Sequence, residues 1–175
     1  PIVYILTVVS PDTTTGEPRL RGIFAGNGTE CFYQAAEMSA SVNLTLVDQK
    51  PDHVVAYLDP EEFKSTWLGN KAIYRTRMMI ADGGRLTVLA PGVQEFGEDE
   101  AIDRLIRRHG YRTTPEVMAA VETDPELAAD LSAAAHLIHG SSEKRFTVAY
   151  APGHLSRDEI EKVGYEFVSL DESLK

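Results

Sequence analysis

A strand–helix–strand pattern in the middle of the chain most strongly limits how this sequence can fold. Two apolar runs, His53–Leu58 and Arg85–Ala90, flank an amphipathic stretch that begins near Ser65 and stops at the Gly83-Gly84 pair. Short apolar runs predict buried strands, a hydroxyl residue can cap a helix start, and glycine ends helices. The pattern therefore predicts a βαβ unit with a parallel strand pair and a right-handed crossover.

The flanking segments extend this unit into an α/β domain. Upstream, Ile2–Val9 and Leu20–Gly26 predict an antiparallel hairpin, followed by a helix over Thr29–Ser41 and a short strand at 43–48. Downstream, the patterns predict helices over Asp99–His109, Pro115–Thr123, Pro125–His139 and 156–164, and strands over 145–151 and 165–170. With no linker or internal repeat, we expect residues 1–175 to form a single α/β domain. Its fold would be a three-layer sandwich with a mostly parallel central sheet and an N-terminal β-hairpin.

Composition excludes several classes of partner. Hydrophobic residues make up 43% of the 175 residues, and the formal net charge of -10 is spread along the chain. No basic cluster offers a nucleic-acid backbone a partner, and no run approaches the roughly 18 apolar residues that a membrane span needs. The lone Cys31 is expected to be buried rather than nucleophilic, and it favours a cytoplasmic location. The chain starts on Pro1, directly on a strand and without a signal peptide, which indicates a piece of a longer protein.

Four loops follow predicted strands and precede predicted helices. They read "AGNGTE", "DPEEFKSTW", "APGVQEFG" and "APGHLS", and parallel strands would bring them to one edge of the sheet, where α/β proteins bind ligands. Gly92 in the third loop would let a ligand approach the backbone, although Pro-Gly also simply makes a tight turn. The first loop resembles a phosphate-binding glycine loop only loosely, since it fits neither known glycine pattern.

One helix face combines aromatic, amide and ammonium groups. Trp67, Asn70, Lys71, Tyr74 and Met78 follow helical spacing and should point away from the core. The opposite face should pack inward, and it carries Ala72, Ile73, Thr76 and Ile80. A lysine beside a tryptophan in the first turn of a helix suits an anionic ligand, because the ammonium supplies charge and the indole an apolar wall. The alternative is a solvated face with Trp67 packed on a loop.

No complete catalytic or metal set stands out in the sequence. His136 and His139 lie one helical turn apart and could reach one metal ion, but no third ligand is nearby and Gly140 ends the helix. A polar helix end is therefore favoured over a metal site. The chain also lacks the Gly-x-Ser-x-Gly elbow of serine hydrolases.

Several stretches, taken in order, resemble the C-terminal domain of the nickel-dependent lactate racemase family of 2-hydroxyacid racemases and epimerases. They are "GIFAGNGTECFYQAAE", "TWLGNKAIYRTRMMIADGGRLTVLAPGV", "AAAHLIHGSSEKRFTVAYAPGHLSRDEIEKVGYEF" and "SLDESLK". The resemblance implies that this chain is the second half of a two-domain enzyme and is inactive alone. In that family the N-terminal domain carries the nickel-pincer nucleotide and the residues that move the substrate proton, so no catalytic or metal-binding residue is expected here.

The resemblance also implies a role for Lys71. The family's helix-start Tyr-Gln-x-x-Lys corresponds here to Trp67, Leu68 and Lys71, so Lys71 would meet the carboxylate of a small hydroxy acid or an acidic group of the cofactor. The changes at the first two positions put lactate itself in question, and Asn70 would suit a more hydroxylated substrate such as a sugar acid. The expected partners are the protein's own N-terminal domain and the hydroxy acid. Two alternatives remain, a non-catalytic module for a small anion or nucleotide and a free-standing nucleotide-dependent enzyme that uses "AGNGTE".

Overall fold

The βαβ pattern of the sequence forms a four-stranded parallel sheet in the computed structural model, which describes residues 2–173. Pro1 and the last two residues of "SLDESLK" lie outside the described part. The strands are β1 (Tyr4–Pro11), β2 (Pro18–Gly26), β3 (His53–Tyr57), β4 (Arg85–Ala90), β5 (Thr147–Pro152) and β6 (Glu166–Phe167). The helices are α1 (Thr29–Asn43), α2 (Thr66–Gly69), α3 (Lys71–Thr76), α4 (Glu100–His109), α5 (Thr114–Thr123), α6 (Pro125–Ala129), α7 (Leu131–His139), α8 (Arg157–Lys162) and α9 (Leu170–Ser173).

The chain divides into two compact units, one up to Asp48 and the other from Gln49 onward. In the first unit β1 and β2 pair antiparallel, with an irregularity between Val8 and Val9, and α1 packs on both strands. Cys31 is buried, as expected, and its thiol donates to the Gly28 carbonyl at 3.1 Å. The predicted N-terminal hairpin is therefore confirmed.

The second unit contains the parallel sheet, in the order β3-β4-β5-β6, with helices flanking it. The two central strands, β4 and β5, are almost wholly buried, as expected for parallel strands covered on both faces. Leu86, Val88 and Tyr150 from these strands pack with Ile73, Phe96 and Leu137 in one hydrophobic cluster. The predicted α/β class and the parallel sheet are confirmed.

The long helix predicted from Ser65 to Gly83 is wrong, because it breaks at Asn70 and ends at Thr76. The Thr66 side chain does not cap the helix but bonds into the interior, donating to the Phe96 carbonyl. After Thr76 the backbone turns to neighbouring segments, with Ala81 N–H donating to the Pro51 carbonyl and Gly83 N–H to the Arg145 carbonyl. Tertiary hydrogen bonds thus replace further helical turns.

Three other elements differ from expectation. The helix predicted over Pro125–His139 breaks at Asp130, whose carboxylate caps α7 by accepting from the N–H groups of Ser132 and Ala133. Residues 43–48 form no strand. Leu46 is 93% exposed, so this apolar run does not pack into a core. The last predicted strand shrinks to β6 because α9 begins at Leu170.

The loop "AGNGTE" follows β2, which belongs to the hairpin and not to the parallel sheet. The prediction that all four loops share one sheet edge is therefore wrong for this loop. Gly28 within it occupies the N-cap position of α1. Across residues 2–173, no helix combines the length and apolar character needed to cross a membrane.

Candidate functional site

Four of the predicted site residues line one cavity of about 330 Å³ in the second unit. Trp67, Lys71 and Tyr74 come from α2 and α3, and Asn70 occupies the break between these helices. The facing wall is α7, which contributes His136 and His139. In the sequence the lysine face and the histidine pair were two separate predictions, and the fold brings these residues together.

The cavity has aromatic walls and a cation at its margin. The Trp67 ring lies 4.5 Å from the His136 ring, centroid to centroid, and the Tyr74 ring lies 5.4 Å from that of His139. The Lys71 side chain is exposed, and within the described chain its ammonium has neither a carboxylate nor a hydrogen-bond partner. An unpaired ammonium beside apolar rings can bind an anionic ligand.

Asn70 does not point to solvent as the helical spacing predicted, for it is only 1% exposed. Its side-chain amide donates from Nδ2 to the Tyr165 hydroxyl at 3.1 Å, and Tyr165 donates to the Gly140 carbonyl at 2.8 Å. A β-carbon at Gly140 would collide with the Asn70 amide and the Tyr111 ring. Position 140 therefore needs glycine for space.

A second network of buried hydrogen bonds includes His136. Thr66 Oγ1 lies 2.8 Å from the Phe96 carbonyl oxygen and 2.7 Å from the Tyr111 hydroxyl, which lies 3.1 Å from His136 Nε2. Burial lowers the pKa of the His136 imidazole to about 4, with a smaller contribution from His139. The ring is therefore neutral near pH 7.

Stacked tyrosine rings accompany both networks of buried hydrogen bonds. Tyr111 stacks on Tyr165 with centroids 4.7 Å apart, and Tyr165 stacks on Tyr150 at 5.5 Å. Burial raises the pKa of all three phenols, so each keeps its proton. The Tyr150 hydroxyl and Asn70 Oδ1 are buried and have no hydrogen-bond partner among the described residues.

Arg77 connects the two walls of the cavity. It follows α3 directly, and its guanidinium donates to the carbonyls of Ile138, His139 and Ser141 at the end of α7. The Ile138 carbonyl also accepts from Ser141 N–H. Carbonyls at the C-terminal end of a helix lack helical partners, so a cation there bonds them and offsets the helix dipole. The spacing between α3 and α7 is thereby held at one end.

Gly92 does not line this cavity. A β-carbon at Gly92 would lie 2.6 Å from Pro60 Cα and from the Pro60 carbonyl oxygen, so the backbone at Gly92 packs closely against the backbone of Pro60. A β-carbon at Gly153, in the other Ala-Pro-Gly loop, would collide with the Pro91 carbonyl. Tight packing accounts for both glycines, and a ligand contact at Gly92 stays a prediction.

Sequence reasoning missed Tyr111 and Tyr165, although both hydroxyls orient cavity residues. Each lies far along the chain from the residue that it orients, and neither belongs to a motif that would mark it. His136 and His139 were noticed as a possible metal pair, but His136 Nε2 is hydrogen-bonded to Tyr111. Across residues 2–173, no three histidine, cysteine or acidic side chains cluster in a way that could hold a metal ion.

Comparison with solved structures defines the class of fold. A protein of Thermotoga maritima matches with a TM-score of 0.78 at 20% identity, over 97% of this chain and 43% of its own. The lactate racemase apoprotein of Thermoanaerobacterium thermosaccharolyticum matches with a TM-score of 0.66 at 16% identity, over 97% of this chain and 40% of its own. No protein-family model and no curated protein matches the chain.

The chain thus has a lactate-racemase-like α/β fold, and it spans less than half the length of either structure that it matches. At these identities the likeness shows the fold alone.

Proposed function

We propose that this chain is the C-terminal domain of a 2-hydroxyacid racemase or epimerase that works with a nickel-pincer nucleotide. The observation that carries the proposal is the Lys71 ammonium beside Trp67 at a cavity on this fold, with no carboxylate partner among the described residues. The racemase-like fold over 97% of the chain supports it. So does the ordered resemblance of its segments to the lactate racemase family.

The residues of this chain would bind and orient the substrate. Lys71 fits the carboxylate of a 2-hydroxyacid or an acidic group of the cofactor, since it is a cation without a carboxylate partner in the described chain. Trp67 and Tyr74 would exclude water beside that carboxylate, which strengthens the attraction between the charges. When bound, the nickel-pincer nucleotide supplies hydride transfer at the substrate 2-carbon, and its attachment is assigned to another domain.

The proposal includes two partners, a small hydroxy acid and the protein's own N-terminal domain. Large apolar side chains are exposed on the first unit, among them Ile2, Ile5, Ile23, Phe32 and Tyr33. Exposed apolar surface of this kind is typical of a face that another domain covers. A cytoplasmic location stays a prediction.

Substitution of Lys71 in the full-length parent enzyme tests the proposal. Lys71→Ala should lower kcat/KM for racemisation by about 10²–10³-fold, as for the loss of one preorganised charge in an active site. Lys162→Ala is the matched control, because Lys162 is an exposed lysine of α8 that does not line the cavity. Unchanged kinetic constants in Lys71→Ala would remove this residue from the site, and racemisation by the 175-residue chain alone would contradict its status as one half of the enzyme.

A second candidate is a non-catalytic module for a small anion or nucleotide. The cavity favours it to the extent that all of its lining residues belong to the second unit. Calorimetric titration of the chain with nucleotides and with 2-hydroxyacids separates the two. Binding of nucleotides alone would favour the module, whereas Lys71-dependent binding of 2-hydroxyacids favours the racemase domain.

A further inference from the structure

The proton positions around the cavity follow from counting donors. Thr66 Oγ1 lies 2.8 Å from the Phe96 carbonyl oxygen, which carries no hydrogen, so the single hydroxyl proton of Thr66 must lie between them. Thr66 therefore accepts from the Tyr111 hydroxyl, which has then used its own proton. The Tyr111 oxygen can accordingly bond His136 Nε2 only if that nitrogen carries a proton.

His136 is thus fixed as the Nε2–H tautomer, and Nδ1 is left as an acceptor. A neutral imidazole has one N–H donor and one acceptor nitrogen, and the low pKa of His136 keeps the ring neutral. The described residues provide no hydrogen-bond donor to Nδ1. His136 lines the cavity, so a donor to Nδ1 comes from solvent water or from a bound molecule that displaces it.

The same count fixes Asn70. The Tyr165 hydroxyl gives its proton to the Gly140 carbonyl at 2.8 Å, so its oxygen must accept from Asn70 Nδ2. This orientation leaves Oδ1 as a buried acceptor without a partner among the described residues. Because Oδ1 is closed to solvent, a ligand in the cavity does not reach it, and His136 Nδ1 is the acceptor that remains.

We infer that His136 recognises a hydroxyl group of a bound acid through Nδ1, so that the cavity selects hydroxylated carboxylates while Lys71 holds the carboxylate. The inference rests on the proposed function for the role of Lys71 and deepens it by naming the residue that recognises the hydroxyl group. A cavity of about 330 Å³ has room for more than a three-carbon acid, since one water molecule takes about 30 Å³ of liquid volume. His136 acts here as a specificity-determining residue.

Calorimetric titration of the 175-residue chain with matched acids tests the selection. Propionate and glycerate share three carbons and differ by two hydroxyls, and hexanoate and gluconate share six carbons and differ by five hydroxyls. Glycerate should bind about tenfold more tightly than propionate, and gluconate about tenfold or more above hexanoate, because each hydrogen bond contributes modestly. Equal affinity within each pair, a preference for hexanoate, or no binding of any acid would overturn the inference.

Two variants test which groups make the selection. His136→Phe keeps a ring against Trp67 but removes Nδ1, and should reduce the glycerate preference while propionate binds as before. Tyr111→Phe removes the hydroxyl that fixes the tautomer and should reduce the same preference. Tyr150→Phe is its matched control, since Tyr150 lies in the same ring stack but its hydroxyl has no hydrogen-bond partner in the described part of the protein. An undiminished preference in both His136→Phe and Tyr111→Phe would overturn the assignment.

The tautomer is measurable without any ligand. Long-range ¹H–¹⁵N correlation of the ring nitrogens at pH 7.5 should show the His136 proton on Nε2 in the wild-type chain and in Tyr150→Phe. Tyr111→Phe should shift the proton partly to Nδ1. A proton on Nδ1 in the wild-type chain would overturn the inference by itself.

The outcomes also separate this inference from the proposed function. If Lys71→Ala abolishes racemisation but hydroxyl groups bring no affinity, the proposed function stands and the role of His136 is wrong. If Lys71→Ala has no effect on racemisation while the hydroxyl preference persists, the cavity binds hydroxylated acids in another role.

Discussion

The two compact units of this chain use apolar residues in opposite ways. The first unit leaves most of its large apolar side chains exposed, with Ile5 at 72% and Ile23 at 61%, and buries Val8, Cys31 and Ala35. The second unit has a continuous core in which Ile73 and Phe96 are fully buried. Both units contain β-branched residues in their strands. The two units differ in whether other elements of the same unit cover these side chains.

In the first unit, local interactions at the hairpin turn set the structure in place of an extensive core. Asp12 accepts from the N–H groups of Thr14 and Thr15, and its carbonyl accepts from Gly16, which has a φ of +75°. Local hydrogen bonds and a glycine that tolerates positive φ set the strand register. Such interactions position a hairpin but contribute little of the burial that stabilises a domain.

Cutting the chain between Asp48 and Gln49 is the largest test of this comparison. The piece from Gln49 onward should unfold in one cooperative urea transition, because its core cluster contains no residue from the other unit. The piece up to Asp48 should show no transition, since a hairpin with one helix buries too little apolar surface. Circular dichroism during urea titration measures both, and a cooperative transition in the smaller piece would break the comparison.

A matched pair of isoleucines sharpens the contrast within the intact chain. Ile73→Ala should lower the free energy of unfolding by about 2–5 kcal/mol, because the side chain is 0% exposed and leaves a cavity. Ile5→Ala should change it by less than about 0.5 kcal/mol, because that side chain is largely exposed. Urea unfolding of both variants checks this, and equal losses would show that exposure does not distinguish the units.

Acid should weaken the second unit first. The pKa of His136 is lowered from 6.5 to about 4, so the unfolded chain binds more protons between these values. Stability is therefore fully present above pH 6.5 and falls as pH drops to about 4, by about 3 kcal/mol at 1.36 kcal/mol per unit of pKa. The first unit contains no histidine. Its Asp12 pKa is lowered from 3.8 by hydrogen bonds from Thr14, Thr15 and Arg19, so its contribution is lost only at lower pH.

His136→Phe should flatten the stability profile between pH 6.5 and 4. His154→Phe serves as the control, because His154 is exposed and should leave the slope unchanged. Urea unfolding at half-unit pH steps gives both profiles. A slope that survives in His136→Phe would assign the acid sensitivity elsewhere.

Tyrosine hydroxyls give the smallest effect and separate satisfied from unsatisfied groups. Tyr111→Phe should cost about 1–2 kcal/mol, because it leaves His136 Nε2–H without its acceptor. Tyr150→Phe should be neutral or slightly stabilising, since its hydroxyl is buried and has no partner among residues 2–173. Tyr33→Phe in the first unit, 66% exposed, should change nothing measurable. Thermal unfolding ranks the three, and a cost for Tyr150→Phe would point to a water molecule bound at that hydroxyl.

The sequence predicted the strands and caps that depend on local chemistry. The βαβ unit follows from two apolar runs and a crossover, and the Ser156 cap of α8 follows from a side chain that can bond Glu159 N–H. It could not predict the helix breaks at Asn70 and Asp130. The Asn70 side chain bonds a partner far along the chain, Tyr165, whereas Asp130 caps α7 through local bonds that sequence reasoning missed.

The candidate site divides in the same way. Trp67, Lys71 and Tyr74 lie close together in the sequence, and their spacing was enough to place them together although the helix breaks at Asn70. Their meeting with His136 requires α3 and α7 to pack, and the tautomer of His136 depends on Thr66 and Tyr111. Proton positions arise from the whole network, so no local pattern encodes them.

The close fit of Gly140 against Asn70 has a consequence for how this protein can evolve. Because a β-carbon at position 140 would collide with the Asn70 amide and the Tyr111 ring, substitutions at these three positions are not independent. A change from glycine becomes tolerable only after a smaller side chain appears opposite it, so the order in which mutations arise matters. The specificity of the cavity should therefore change through paired substitutions. Such change should be slower than at neighbouring exposed helix positions, where single substitutions are tolerated.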